Sequence, residues 1–126
     1  MAVSYEQVRQ FALALPNVSE GRVYGGPSLH VGRKFLGRLR EDNETLVLKI
    51  DLAERASLLK NDPDAFFLED HYRQYPFILV NLLAVKPKIL RRLIERAWRM
   101  VASKRTISAY DSSEGHKNKQ RREMKL

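Results

Sequence analysis

Apolar residues recur at three- and four-residue steps near the start of the chain, at Tyr5, Val8, Phe11, Ala12 and Leu15. That period predicts a helix over residues 4–15. Ser4 and Gln7 have the spacing of a capping box, and Pro16 stops the helix. Residues 17–27 read as turn, being rich in glycine at Gly21, Gly25 and Gly26 and followed by Pro27. The period then changes to two. Leu29 and Val31 point one way, Ser28 and His30 the other. Gly32-Arg33 suits a type II′ hairpin. Phe35, Gly37 and Leu39 share a face opposite Lys34, Leu36, Arg38 and Arg40, and Glu41-Asp42-Asn43 supplies a turn. Leu46, Leu48 and Ile50 then alternate with Thr45, Val47 and Lys49. The pattern is that of an antiparallel meander with one buried face and one wetter face.

Asp51 caps a second helix, with Glu54 at the third position and Leu52, Ala56 and Leu59 as its inner stripe. Asn61-Asp62-Pro63-Asp64 ends it. Residues 65–68 form a short strand and residues 71–76 a loop. The nearly continuous apolar run 77–85 belongs in the middle of the sheet. Lys86-Pro87 opens a third helix that runs to about Ser103. Its apolar half holds Ile89, Leu90, Leu93, Ile94, Ala97, Trp98 and Val101, which assigns Trp98 to the core. After Tyr110 the periodicity ends. Residues 111–126 hold five basic and three acidic residues and are expected to be a basic disordered tail behind a single domain over 1–110.

At 126 residues, 44% of them hydrophobic, the chain can bury one sizeable core. It has no cysteine, which excludes disulfides, thiolate metal sites and a cysteine nucleophile. No apolar run approaches the ~20 residues of a membrane helix. The first residues lack the basic-then-apolar pattern of a signal peptide. A cytoplasmic location is expected. Charge is the unusual feature: 23 Lys and Arg against 15 acids give +8, a balance that favours polyanionic partners.

Catalytic chemistry is hard to assemble. His30, His71 and His116 have no paired metal-ligand spacing, and neither a nucleophile elbow nor a phosphate-binding glycine loop is present. Asp70-His71 are adjacent loop residues, which usually point apart. No enzyme activity, cofactor or metal is expected. Three basic features stand out instead. Arg33, Lys34, Arg38, Arg40 and Lys49 would lie on the outer face of the meander, with His30 beside them. Strand residues two apart are ~6.6 Å apart, close to the ~7 Å phosphate repeat of one DNA strand. That face is equally consistent with a solvated surface, and Glu41, Asp42 and Glu44 at the hairpin tip would repel phosphate. The loop carrying Tyr72, Arg73 and Tyr75 could stack on bases and grip phosphate. It could also be a packed corner, with Tyr75-Pro76 setting the turn in the cis or the trans form. The polar face of the last helix and the tail form the third basic feature.

Several short motifs in order carry a family resemblance: Tyr24-Gly25-Gly26-Pro27-Ser28-Leu29, Val31-Gly32-Arg33-Lys34-Phe35, Leu46-Val47-Leu48-Lys49, Phe66-Phe67, His71-Tyr72-Arg73-Gln74-Tyr75-Pro76 and Ala97-Trp98. Over residues 4–105 the chain resembles the MmcQ/YjbR family. The resemblance implies an α+β fold of the CyaY/frataxin-like or double-wing kind: a curved antiparallel meander with helices packed on one face. It also implies DNA binding. The frataxin likeness would imply iron on an acidic first helix, but that helix offers only Glu6, so no iron site is expected. The leading expectation is a non-catalytic, monomeric DNA-binding protein making phosphate contacts of weak sequence specificity. Arg33, Lys34, Arg38, Arg40 and Lys49 would contact the backbone, with Tyr72, Arg73 and Tyr75 as a second region. The alternative is a small-ligand or protein-binding module with a pocket near Tyr24, His71 and Tyr72.

Overall fold

The computed structural model describes residues 2–113. Helix α1 (Tyr5–Leu13) leads into strands β1 (Val18–Val23), β2 (Gly26–Val31), β3 (Lys34–Leu39) and β4 (Thr45–Lys49). Helix α2 (Leu52–Asn61) precedes β5 (Phe66–Phe67), a 3-10 turn at Asp70–Tyr72 and β6 (Phe77–Asn81). Helix α3 (Pro87–Val101) and a helix over residues 104–113, α4, follow. The strands form one open antiparallel sheet in the order β1-β2-β3-β4-β6-β5, and the fold is α+β.

Local signals explain most of the elements. Ser4 accepts from the Gln7 amide at 3.2 Å while the Gln7 side chain accepts from the Ser4 amide at 3.0 Å, closing the capping box of α1. Asp51 caps α2 through the amides of Ala53 and Glu54. Helices α1 and α3 cover one face of the sheet, where Val8, Ala12, Leu90, Leu93, Ile94 and Trp98 meet Leu29, Val31, Leu36, Leu39, Leu46 and Leu48. Trp98 is fully buried, and its indole N–H donates to the Pro16 carbonyl at 2.8 Å.

The structure corrects several expectations. Residues 18–23 form an edge strand, not a turn, paired with β2 from Val18↔Val31 to Val23↔Gly26. With one strand partner and largely exposed side chains, β1 is defined by its ladder and not by apolar alternation. In β3 the alternation is broken by a bulge. His30 pairs with Phe35, but Leu29 pairs with Gly37, so Leu36 is an extra residue. Leu36 enters the core and Phe35 moves to the side of Arg38, whereas Lys34 sits opposite the core residue Val31. A Cβ on Gly37 would lie 2.8 Å from the Val47 carbonyl, so only glycine permits the β3–β4 approach here. Helix α2 is turned from the predicted stripe. Leu52 is 55% exposed and Ala56 is exposed, while Arg55, Leu58 and Leu59 face inward. Residues 111–113 continue α4 instead of starting a tail; residues 114–126 lie outside the described residues. Among the described residues no peptide bond is cis, so Tyr75-Pro76 makes its turn in the trans form. No helix of the described residues is long and apolar enough to cross a membrane.

Candidate ligand-binding site

The second face of the sheet is not simply wet. Its pleat presents Ser28 and His30 from β2, Phe35 and Arg38 from β3, Val47 from β4 and Phe77 from β6. Val47 and Ser28 are nearly inaccessible although they lie outside the main core. The segment 69–76 folds over this face, and the β1–β2 hairpin borders it at Tyr24-Gly25. Between them lies a cleft of about 540 Å³. Tyr24 and the adjacent pair His71 and Tyr72, far from it in sequence, all line it, as do Phe35, Tyr75 and Phe77.

Rings meet there at steep angles. Phe77 receives Phe35 at 5.6 Å and Tyr72 at 6.3 Å, both edge to face, and His71 meets Tyr72 at 4.8 Å. His30 meets Phe35 at 5.9 Å, and its Nε2 is 2.8 Å from the Ser28 hydroxyl. Arg33, Arg38, His30 and His71 line the cleft, and no carboxylate does so among the described residues. Arg38 is only 9% exposed. One guanidinium nitrogen donates to the Tyr72 hydroxyl oxygen at 3.1 Å, and the group lies 5.0 Å from the centre of the Tyr24 ring. Glu41 stands off at 3.7 Å.

The loop is anchored by a residue that the sequence did not single out. The Arg55 guanidinium donates to the carbonyls of Tyr75 at 2.7 Å, Arg73 at 3.0 Å, Phe77 at 3.2 Å and Tyr72 at 3.4 Å. These are the carbonyls of the segment that carries the cleft's tyrosines. A planar fork of five donors suits four converging acceptors in a way that no other side chain does. In the sequence Arg55 falls outside the expected inner stripe of Leu52, Ala56 and Leu59, beside Glu54, and so reads only as part of a solvated helix face.

The five basic residues expected in one row are scattered. Arg38 is part of the cleft wall, not a solvent-facing contact. Arg40 donates to Glu69 at 2.9 Å, a hydrogen bond that holds its pKa above the ordinary arginine value. Lys49 borders a groove between α2 and α3, away from Arg33. Arg33 and Lys34 are exposed, in and just after the turn that Gly32 opens at φ +60°. Arg73 is exposed and paired with Asp70 at 3.1 Å. Phe35 joins His30 and Phe77 in the cleft because the bulge re-aims β3, a feature with no signal in alternation when Phe35 and Leu36 are both apolar. No cluster of three or more His, Asp or Glu placed to hold a metal lies among the described residues.

A family model described as YjbR matches residues 13–100. Uncharacterised proteins of Mycobacterium bovis and Mycobacterium tuberculosis are 31% identical over 65 residues, covering 52% of this chain and 50% of theirs. The chain thus spans about half the length of the curated relatives it matches. The crystal structure of the Deinococcus radiodurans protein DR2400, a DUF419-domain protein, superposes with a TM-score of 0.69 at 19% identity, over 89% of this chain and 88% of that one. At that identity the likeness speaks for the fold.

Proposed function

The chain belongs to the YjbR family, and we propose that it is a non-catalytic binding protein whose site is the aromatic cleft on the second face of the sheet. One observation carries this reading: Tyr24, His71 and Tyr72 converge with Arg38 around a single cavity whose size suits a small molecule. The polar groups there hold one another and suit recognition. Among the described residues His30 is engaged by a Ser28 that is itself buried, so this pair offers no nucleophile open to the cleft. Amide chemical-shift mapping with a set of one- and two-ring fragments tests the site. Perturbations should gather in residues 28–38 and 71–77. Perturbations gathered instead around Ile50, Leu93 and Met100, in the groove between α2 and α3, would contradict it.

A second reading, DNA binding, is favoured by a different observation. Arg33, Lys34 and Arg73 are exposed on a chain of net charge +8. Such residues would contact phosphates whatever the base sequence. Replacing the three with Gln should reduce the slope of log K against log salt on duplex DNA by about 2.7, at ~0.9 per phosphate. An unchanged slope, or no duplex binding at low salt, would reject this reading and leave the cleft untouched.

A further inference from the structure

Resting on the reading of the cleft as the binding site, we propose that its ligand is a flat aromatic molecule bearing one anionic group, with Arg38 anchoring the charge and Tyr24 covering the ring plane. Charge comes first. Among the described residues the wall holds two arginines and two histidines but no carboxylate, so the charged side chains that line the cleft favour an entering anion. Arg38 is preorganised for the task. Burial between Tyr24 and Tyr72 fixes its guanidinium, yet only one hydrogen bond occupies its five donors among the described residues. Glu41, 73% exposed and 3.7 Å away, is too distant and too hydrated to satisfy the rest. Because the Tyr72 oxygen accepts from Arg38, the phenol hydrogen is left to donate to a second acceptor. Arginine and phenol together offer a carboxylate or phosphate two kinds of donor in a largely desolvated place.

Flatness follows from the rings. Phe35 and Tyr72 stand nearly perpendicular to Phe77, at 83° and 86°, so faces and edges alternate along the wall. That arrangement suits a conjugated ring, which can stack on one member and meet the edge of the next. Tyr24 is the third observation. The residue is 81% exposed, and its backbone lies in the left-handed region at φ +53°. Tyr24 and Gly25 form the two-residue loop of a type I′ hairpin, where asparagine before glycine is the favoured pair. A tyrosine there is locally unfavourable, and its ring reaches Arg38 rather than the core. An exposed ring on a backbone held in the left-handed region, at the mouth of an aromatic slot, is placed to close over a ligand.

Calorimetric titration with naphthoate, naphthamide and octanoate tests the proposal, with amide shifts recorded for each. Naphthoate is flat and anionic, naphthamide flat and neutral, octanoate anionic and flexible. Naphthoate should bind about tenfold more tightly than either of the others. Arg38→Gln should remove most of the preference for naphthoate over naphthamide. Tyr24→Asn, which suits the turn and should fold at least as well, should weaken both flat probes about threefold. If Arg38→Gln does not fold, the wild-type comparison decides alone. Naphthamide binding as tightly as naphthoate, with shifts still in the cleft, would overturn the anionic class and leave the cleft as the site. Octanoate matching naphthoate would overturn the flat class in the same way. Absence of cleft shifts with every probe would overturn both this proposal and the reading on which it rests.

Discussion

Asp42 holds the β3–β4 turn with three hydrogen bonds. Its carboxylate accepts from the amides of Glu44 and Thr45, each at 2.9 Å, and from the Thr45 hydroxyl at 2.7 Å. Burial pushes the carboxyl up, but the bonds from Glu44 and Thr45 outweigh it and hold its pKa below the ordinary 3.8. A depressed folded value means that the stabilisation is complete above the ordinary value and is lost as pH falls through the folded one. Asp42→Asn should therefore lower stability by about 1–2 kcal/mol near neutral pH. Denaturant melts should show the gap to wild type closing as pH drops below 3.8. A gap that stays constant down to about pH 2 would assign the role to shape instead of charge. Arg38 is the contrasting residue. Alternation placed it outward correctly, but outward here leads into a cleft. What encloses it, Tyr24 and Tyr72, lies 14 and 34 residues away, beyond any pattern of local period.

Elements with a strong period and a proper cap were legible: α1 with its capping box, and α3 with Trp98 in its apolar half. Trp98→Ala should cost ~3–5 kcal/mol by chemical denaturation, and native Trp98 emission should be blue-shifted. Emission like that of free tryptophan would contradict the burial. The weakly patterned elements were not legible in full. Edge strand β1 has one ladder and little apolar area, and the bulge in β3 changes parity where two apolar residues adjoin. Helix α2 was legible as a helix but not in its rotation, because one of its inward residues is an arginine serving carbonyls. That makes Arg55 testable. Arg55→Ala should destabilise by about 2 kcal/mol, as loss of charged hydrogen bonds does. It should also speed amide exchange in residues 70–77 more than elsewhere. Arg55→Lys should rescue only part, because a single ammonium cannot span four carbonyls. Uniform exchange across the chain would show that Arg55 does not anchor the loop.

At the scale of the molecule, one sheet serves two purposes. Its first face carries the helices and the main core. α4 extends this layer beyond the boundary expected at residue 110, setting Tyr110 at 5.1 Å against Trp98 and Asp111 at 2.6 Å from Arg99. The second face keeps its aromatic and cationic side chains for a cleft closed by the β1–β2 hairpin and the loop that Arg55 holds. The α+β class was legible from periods and caps, because those depend on near neighbours. The cleft was legible only as three residues, Tyr24, His71 and Tyr72, because its floor depends on the bulge and on the fold of the loop. The most direct test is therefore contact across that floor. Intermolecular nuclear Overhauser effects from the ring protons of bound naphthoate should reach the rings of Phe35, Tyr72 and Phe77. Effects reaching Leu93 and Met100 instead, or no effect to any ring of the cleft, would contradict the account.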